Sequence, residues 1–105
     1  MDTNIGIREL IDDSYNNAIN KGFFNKGTSP NDLLMHIVSE VGEVYDAIRD
    51  GESPERIAEE LSDVLMTCCT VMGYMEKLCG FDGVLELSHK KEFNKHRPYK
   101  HGKPY

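Results

Sequence analysis

Apolar residues repeat every three or four positions along most of this chain, which is the spacing of helices rather than strands. Gly, Pro and Ser punctuate the pattern at four places and divide the sequence into four predicted helices. The second helix begins at Ser29-Pro30, a cap followed by proline, and Gly51 ends it. The third begins in the same way at Ser53-Pro54 and runs to Gly80.

The first and last helices have weaker patterns. We expect the first from Ile5 to Lys21 and the fourth from Asp82 to Lys95, ahead of a proline that the helical conformation disfavours. The third helix is apolar almost all round beyond Leu65, which predicts burial on more than one side by a second subunit. Predicted inward residues are Leu33, Leu34, Ile37, Val41, Val44 and Ile48 on the second helix, and Val84, Leu85, Leu87 and Phe93 on the fourth.

With 105 residues, the chain holds one core, so we expect residues 1–105 to form a single all-α domain, a four-helix bundle completed by oligomerisation. The net charge of -6, with positive residues gathered only near the C-terminus, argues against a nucleic-acid partner. No segment approaches the roughly 20 apolar residues of a membrane span, and the N-terminus has no apolar signal core. We therefore expect a cytoplasmic protein with no membrane partner. The cysteines Cys68, Cys69 and Cys79 lack paired spacing and are interpreted as reduced helix residues.

Two acidic pairs interrupt the apolar stripes. Glu40 lies within the stripe of the second helix and Glu43 follows three residues later; Glu60 and Asp63 repeat this arrangement on the third helix. Two helices joined by a short turn are antiparallel neighbours, so all four carboxylates are predicted to converge.

Converging carboxylates need a cation, because each loses hydration and repels the others. Oxygen donors without His or Cys favour a hard ion, so Mg²⁺, with Mn²⁺ as a substitute, fits better than zinc. A di-iron site is disfavoured, since neither Glu40 nor Glu60 has a His three residues later. The alternative is that the acids form ordinary salt bridges with Arg49, Arg56 or Lys77 on a solvated face.

The fourth helix carries a basic side, on which Lys90, Asn94 and Arg97 follow one another at i, i+4 and i+7. Lys and Arg bind phosphate oxygens through charge-assisted hydrogen bonds, and an Asn side chain can orient a phosphate or sugar. A solvated surface that balances an acidic chain is the alternative. Beside a Mg²⁺ site, this group indicates a nucleotide substrate.

Base recognition stays open at this point. The segment Gly22-Phe23-Phe24-Asn25 could stack on a base, although phenylalanines in such a segment are more often core residues. His36, one helical turn before Glu40, could touch the site, although a lone His near an apolar face is more often a hydrogen-bonded core residue.

The sequence contains three motifs in this order: Ser39-Glu40-Val41-Gly42-Glu43, Glu60-Leu61-Ser62-Asp63, and Lys90-x-x-x-Asn94-x-x-Arg97-Pro98. They resemble the E-x-x-E, E-x-x-D and K-x-x-x-N-x-x-R-P signature of MazG-like nucleotide pyrophosphohydrolases, within the all-α NTP pyrophosphatase superfamily. The resemblance covers residues 31–103. Many members have two adjacent acids where this chain has Ser39 in the first place.

The resemblance implies an oligomeric Mg²⁺ enzyme, a homodimer or homotetramer, that hydrolyses a nucleoside triphosphate to the monophosphate and pyrophosphate. It implies metal ligands at Glu40, Glu43, Glu60 and Asp63, and phosphate contacts from Lys90, Asn94 and Arg97. Glu40 or Glu43 would also accept a proton from the attacking water. Three alternatives remain: a relative specialised for dUTP or phosphoribosyl-ATP, a catalytically silent helical module that binds a nucleotide or partner, and a purely structural oligomer.

Overall fold

The computed structural model describes residues 1, 3–24 and 28–97, and these form four helices. They are α1 (Ile7–Asn20), α2 (Pro30–Arg49), α3 (Pro54–Cys79) and α4 (Gly83–His96). The described residues contain no strand, which confirms the all-α fold, and every helix end lies within two residues of its predicted position. Asn25, Pro98 and the basic tail that follows it lie outside the described residues.

Serine caps determine where α2 and α3 begin. The Ser29 hydroxyl accepts a hydrogen bond from the Asp32 N–H at 3.2 Å, and the Asp32 carboxylate accepts one from the Ser29 N–H at 3.0 Å. Ser53 accepts from the Arg56 N–H at 3.2 Å, again just before a proline. Gly80, with φ of 74°, ends α3 in the left-handed region that glycine adopts at little cost.

The longest helix, α3, is the centre of the fold and packs against both α1 and α2. Ile11 of α1 and Leu33 of α2 are almost completely buried on its two sides. At Gly73 the backbones of α3 and α1 approach closely, because a Cβ there would lie 2.6 Å from the Cβ of Tyr15. The three cysteines are free thiols in the structure, and burial raises the pKa of Cys69.

Glu76 of α3 joins the start of α4 to α1 and α3 through contacts with Arg8 and Gly83, which we call the Glu76 clamp. The Glu76 carboxylate accepts hydrogen bonds from Arg8 at 2.5 and 2.9 Å and from the Gly83 N–H at 2.6 Å. The hydrogen bond from Arg8 is the main reason that the pKa of Glu76 is lowered. A Cβ at Gly83 would lie 2.5 Å from the Met72 Cγ, so α4 meets α3 closely at this point. From Leu85 to His96 every residue of α4 is exposed.

Part of the predicted inward set is wrong for the single chain. Leu34, Val41 and Ile48 of α2 are 49–59% exposed, because α2 packs mainly against α3 and buries the side that faces it. On α4, Leu85, Leu87 and Phe93 are exposed and Val84 is half-buried, because α4 contacts α3 mainly near its start. Leu65 is 66% exposed in the single chain, and its burial by a second subunit stays a prediction.

None of the helices in the described ranges has the length and hydrophobicity needed to cross a membrane.

Candidate metal centre

Three carboxylates from α2 and α3 meet in the structure. One oxygen each from Glu40, Glu60 and Asp63 lies within 4.8 Å of the other two. We call this group the carboxylate triad. Glu60 is buried, Glu40 is half-buried and Asp63 is exposed, so the triad is enclosed at one end and open to solvent at the other. A ligand that arrives from solvent can therefore reach it.

Helix geometry explains why these residues meet. On α3, Glu60 belongs to a series at spacings of three and four that faces α2, and every other member of the series is buried or half-buried: Ile57, Val64, Thr67 and Val71. Glu40 likewise belongs to the series of buried and half-buried residues on α2. The short connection between α2 and α3 makes the two helices antiparallel neighbours. Asp63, three residues after Glu60, lies at the edge of this face, which is why it is exposed.

Glu43 is not part of the triad. The predicted convergence of four carboxylates is therefore reduced to three in the described structure. Glu43 is exposed on α2, although its spacing from Glu40 is the same as that of Asp63 from Glu60, so the spacing alone does not decide which acid joins the triad. Glu43 forms no ion pair with any described residue.

Arg56 partly neutralises the triad. Its guanidinium lies 2.6 Å from a Glu60 oxygen and also donates a hydrogen bond to Glu59 at 2.8 Å. The hydrogen bond to Glu59, followed by the charge of Glu60, raises the pKa of Arg56. The salt-bridge interpretation thus holds for Glu60, but within the described residues Glu40 and Asp63 form no ion pair. Arg49 pairs instead with acids of its own helix end.

The donor set fits a hard divalent cation. The triad offers carboxylate oxygens alone, from two helices held in register by the core. Within the described residues, the carboxylates of Glu40 and Asp63 lack the cation that Glu60 has in Arg56. Like charges this close repel, and a bound cation relieves that repulsion.

The predicted basic residues share one side of α4, around the ring of Phe93. The Lys90 Nζ lies 5.2 Å from the ring centroid and the Arg97 Cζ lies 6.0 Å from it. Lys90 and Asn94 are exposed, whereas the Nε of Arg97 is enclosed without a hydrogen bond. Among the described residues, no hydrogen bond or ion pair joins this basic group to the triad.

A cleft that the sequence did not predict lies about one helical turn from the triad along α2 and α3. It has a volume of about 230 Å³ and lies between α1, α2 and α3, with Phe23 and His36 among its lining residues. The two phenylalanines have different positions: Phe24 packs against Tyr15 and Tyr74, whereas Phe23 lies 5.0 Å from the His36 ring. The spacing of one helical turn between His36 and Glu40 is the feature of the sequence that points to this residue.

Fold and site together define an all-α protein with an acidic centre suited to a divalent cation. A family model described as the MazG nucleotide pyrophosphohydrolase domain matches residues 28–97, the part of the chain that contains α2, α3 and α4. The chain therefore belongs to the MazG nucleotide pyrophosphohydrolase family, whose members are typically metal-dependent. Searches of curated proteins and of solved structures returned no match.

Proposed function

We propose that this protein hydrolyses a nucleoside triphosphate to the nucleoside monophosphate and pyrophosphate, with Mg²⁺ as cofactor and Mn²⁺ as a substitute. The observation that carries the proposal is the carboxylate triad of Glu40, Glu60 and Asp63, in a chain that belongs to a nucleotide pyrophosphohydrolase family. Removing damaged nucleotides or controlling the size of a nucleotide pool are the roles that such an activity would serve.

The triad and Glu43 would hold the metal. Mg²⁺ bound there would neutralise part of the triphosphate charge and lower the pKa of a bound water. Hydrolysis at phosphorus needs positioning and charge neutralisation rather than a covalent nucleophile, which agrees with a site made of carboxylates. Glu60, buried and already paired with Arg56, suits the role of a fixed ligand.

Glu40 and Glu43 are the two candidates for the group that accepts the proton of the attacking water. Glu40 belongs to the triad, and Glu43, three residues later on α2, is exposed and has no ion partner among the described residues. A general base needs to reach the water while it retains a free oxygen. Glu60 is less suited because Arg56 already holds one of its oxygens.

Lys90, Asn94 and Arg97 would bind the phosphate oxygens that the metal leaves uncovered. The charges of Lys90 and Arg97 both lie within about 6 Å of the Phe93 ring centroid, and that ring would hold the two side chains near one another. Arg can bind two phosphate oxygens at once, so we expect Arg97 to contribute more than Lys90.

We also propose that the protein is a homo-oligomer, a dimer or a tetramer. The outer side of α2 carries apolar residues at the four-three spacing of a coiled-coil seam, each 49–65% exposed: Leu34, Val38, Val41, Tyr45 and Ile48. A soluble single chain rarely leaves such a continuous apolar row in water. Analytical ultracentrifugation tests this: Val41→Lys should shift the protein towards monomer, whereas Glu55→Lys on an exposed turn of α3 should not.

The activity is tested by incubating the protein with ribo- and deoxyribonucleoside triphosphates and Mg²⁺, and by following monophosphate and pyrophosphate by chromatography. The matched variants are Glu60→Gln and Glu59→Gln, the same change at neighbouring positions inside and outside the triad. Loss of a ligand should lower turnover by about a hundredfold, while Glu59→Gln should stay near wild type. Asp63→Asn, at an exposed position, repeats the test without a risk to folding.

One observation favours a second candidate, a catalytically silent module that binds nucleotides. The ion pair between Arg56 and Glu60 already offsets part of the triad's charge. Saturable nucleotide binding without pyrophosphate release, for every nucleotide tested, would support the silent module and contradict hydrolysis. A cytoplasmic location stays a prediction from the sequence.

A further inference from the structure

The cleft beside the carboxylate triad is placed to receive the part of a nucleotide that lies beyond its phosphates. On α3, Thr67 lines the cleft one turn after Asp63, and Thr70 lines it almost a turn later. On α2, His36 lines the cleft one turn before Glu40. Because α2 and α3 are antiparallel, both steps lead in the same direction away from the triad. The cleft therefore lies about one helical turn from the triad, on the same side of the α2–α3 pair.

Ser14 of α1 is the unusual residue of this cleft. It is 7% exposed, and its hydroxyl oxygen is buried without a hydrogen-bond partner. A serine or threonine within a helix can donate to the carbonyl four residues earlier, as Ser62 and Thr70 do here at 2.8 and 3.0 Å. Ser14 makes no such bond although it lies in the middle of α1. A buried hydroxyl without a partner is unfavourable, and a ligand in the cleft would supply the partner.

The side of α1 that faces the cleft is rich in donors. Ser14, Asn17 and Lys21 line it at i, i+3 and i+7, which places them along one face of the helix. Lysine offers only donors, serine donates and accepts, and asparagine carries two N–H donors beside its carbonyl oxygen. Phe23 and His36, whose ring centroids are 5.0 Å apart, supply aromatic surface in the same cleft. Aromatic surface together with a line of donors suits a flat heterocycle that carries carbonyl oxygens.

We propose that this cleft binds the base of the substrate nucleotide, and that Ser14, Asn17 and Lys21 select bases that present a carbonyl oxygen where others present an amino group. The proposal rests on the function proposed above, since it assumes that phosphates lie at the triad. It names uracil, thymine, guanine and hypoxanthine as the preferred bases. Cytosine and adenine place an N–H₂ donor opposite the lysine donor and leave both unpaired.

The test uses α,β-imido analogues, which bind without being hydrolysed at that linkage, so that base recognition is measured apart from turnover. The matched pairs are the dUTP and dCTP analogues and the dITP and dATP analogues, which differ by carbonyl against amino on the same ring. Calorimetry in Mg²⁺ should show the carbonyl member of each pair bound about tenfold more tightly. Equal binding within both pairs, or preference for the amino members, overturns the proposal.

Variants locate the effect. Ser14→Ala should weaken binding of the dUTP analogue about fivefold and, because it removes an unpaired buried hydroxyl, raise the Tm. Lys21→Gln should reduce the preference within each pair. Ser88→Ala on exposed α4 shares the gain in helix propensity, so it should leave affinity unchanged and raise the Tm less than Ser14→Ala does. A Ser14→Ala protein with wild-type affinity, or with a lower Tm, contradicts the role given to this hydroxyl.

The two proposals fail separately. If pyrophosphate release is absent but the analogues bind with the carbonyl preference, the hydrolytic function fails and the base cleft stands. If pyrophosphate is released but Ser14→Ala leaves the KM of every substrate unchanged, the cleft assignment fails and the hydrolytic function stands.

Discussion

Replacing Glu76 by alanine removes the clamp that fixes the start of α4. The carboxylate accepts hydrogen bonds from Arg8 at 2.5 and 2.9 Å and from the Gly83 N–H at 2.6 Å, and its side chain is only 11% exposed. Arg8, which is 45% exposed, can regain hydration when its partner is lost, so that part of the loss is small. Gly83 is a buried residue, so water cannot readily replace the carboxylate as the partner of its N–H.

The size of the stability loss in Glu76→Ala follows mainly from the hydrogen bond between Glu76 and the Gly83 N–H. Leaving a buried donor unpaired costs about 1–3 kcal/mol, and with the lost charge-assisted bond we expect Glu76→Ala to lower the free energy of unfolding by about 2–3 kcal/mol. Domains of this size unfold with about 5–15 kcal/mol, so the loss is large. Urea unfolding at pH 7, followed by circular dichroism, measures it. Glu9→Ala is the matched control because Glu9 is exposed on α1 and forms no ion pair with a described residue.

Acid provides an independent check on the same clamp. The pKa of Glu76 is lowered in the folded protein, mainly by its hydrogen bond with Arg8. A carboxylate with a lowered pKa stabilises the folded state fully above its unfolded pKa of about 4.3, and this contribution is lost as the pH falls through the folded value. The difference in unfolding free energy between wild type and Glu76→Gln should therefore be constant near neutrality and shrink below about pH 4.

Two results would refute this reasoning. The first is a Glu76→Ala protein that loses no more stability than Glu9→Ala, since α4 would then be held by something other than the clamp. The second is a difference between wild type and Glu76→Gln that grows on acidification, which has the wrong sign for a carboxylate stabilised in its charged form. If the stability loss and its pH dependence both agree with expectation, a raised KM in Glu76→Ala would further connect the clamp with the basic side of α4.

Three further predictions concern close packing, the triad and a helix cap. Gly83→Ala places a methyl group 2.5 Å from the Met72 side chain and should lower the urea-derived unfolding free energy by about 1–3 kcal/mol, whereas Gly42→Ala, with nothing within 4 Å, should raise it. Arg56→Gln removes the cation on Glu60, so calorimetry should show Mn²⁺ bound several-fold more tightly, and weaker binding would contradict a competing role for Arg56. Ser29→Ala breaks the capping box of α2 and should cost about 1 kcal/mol in a thermal melt.

Local chemistry made the helix ends predictable. Ser29 and Ser53 satisfy backbone donors within three residues of themselves, and the left-handed conformation of Gly80 needs no distant partner. The triad was predictable in part for the same reason, because Glu40 and Glu60 are fixed to helix faces by spacing alone.

Features that depend on distant contacts were not predictable. The position of α4 depends on Arg8 and Glu76, which are 68 residues apart, and no spacing rule connects them. The exposure of Phe93 and Leu87 follows from that attachment. In the same way, the missing hydrogen bond of Ser14 is a property of the packed interface between α1 and α3, whereas the sequence shows only a serine in a helix.

The faces of α2 show how one apolar stripe concealed two surfaces. Residues 33, 37, 40, 44 and 47 face α3 and are buried or half-buried, while residues 34, 38, 41, 45 and 48 repeat the same spacing one position later and are exposed. One residue rotates a helix by about 100°, so the two series point in different directions. Glu40 belongs to the buried series, which places its carboxylate at the triad, whereas Glu43 belongs to neither series and is exposed. The apolar stripe predicted from the sequence therefore contains both series: one forms the core against α3, and the other is the surface that we propose a second chain covers. The two series can be told apart only from the packing of α3 against α2.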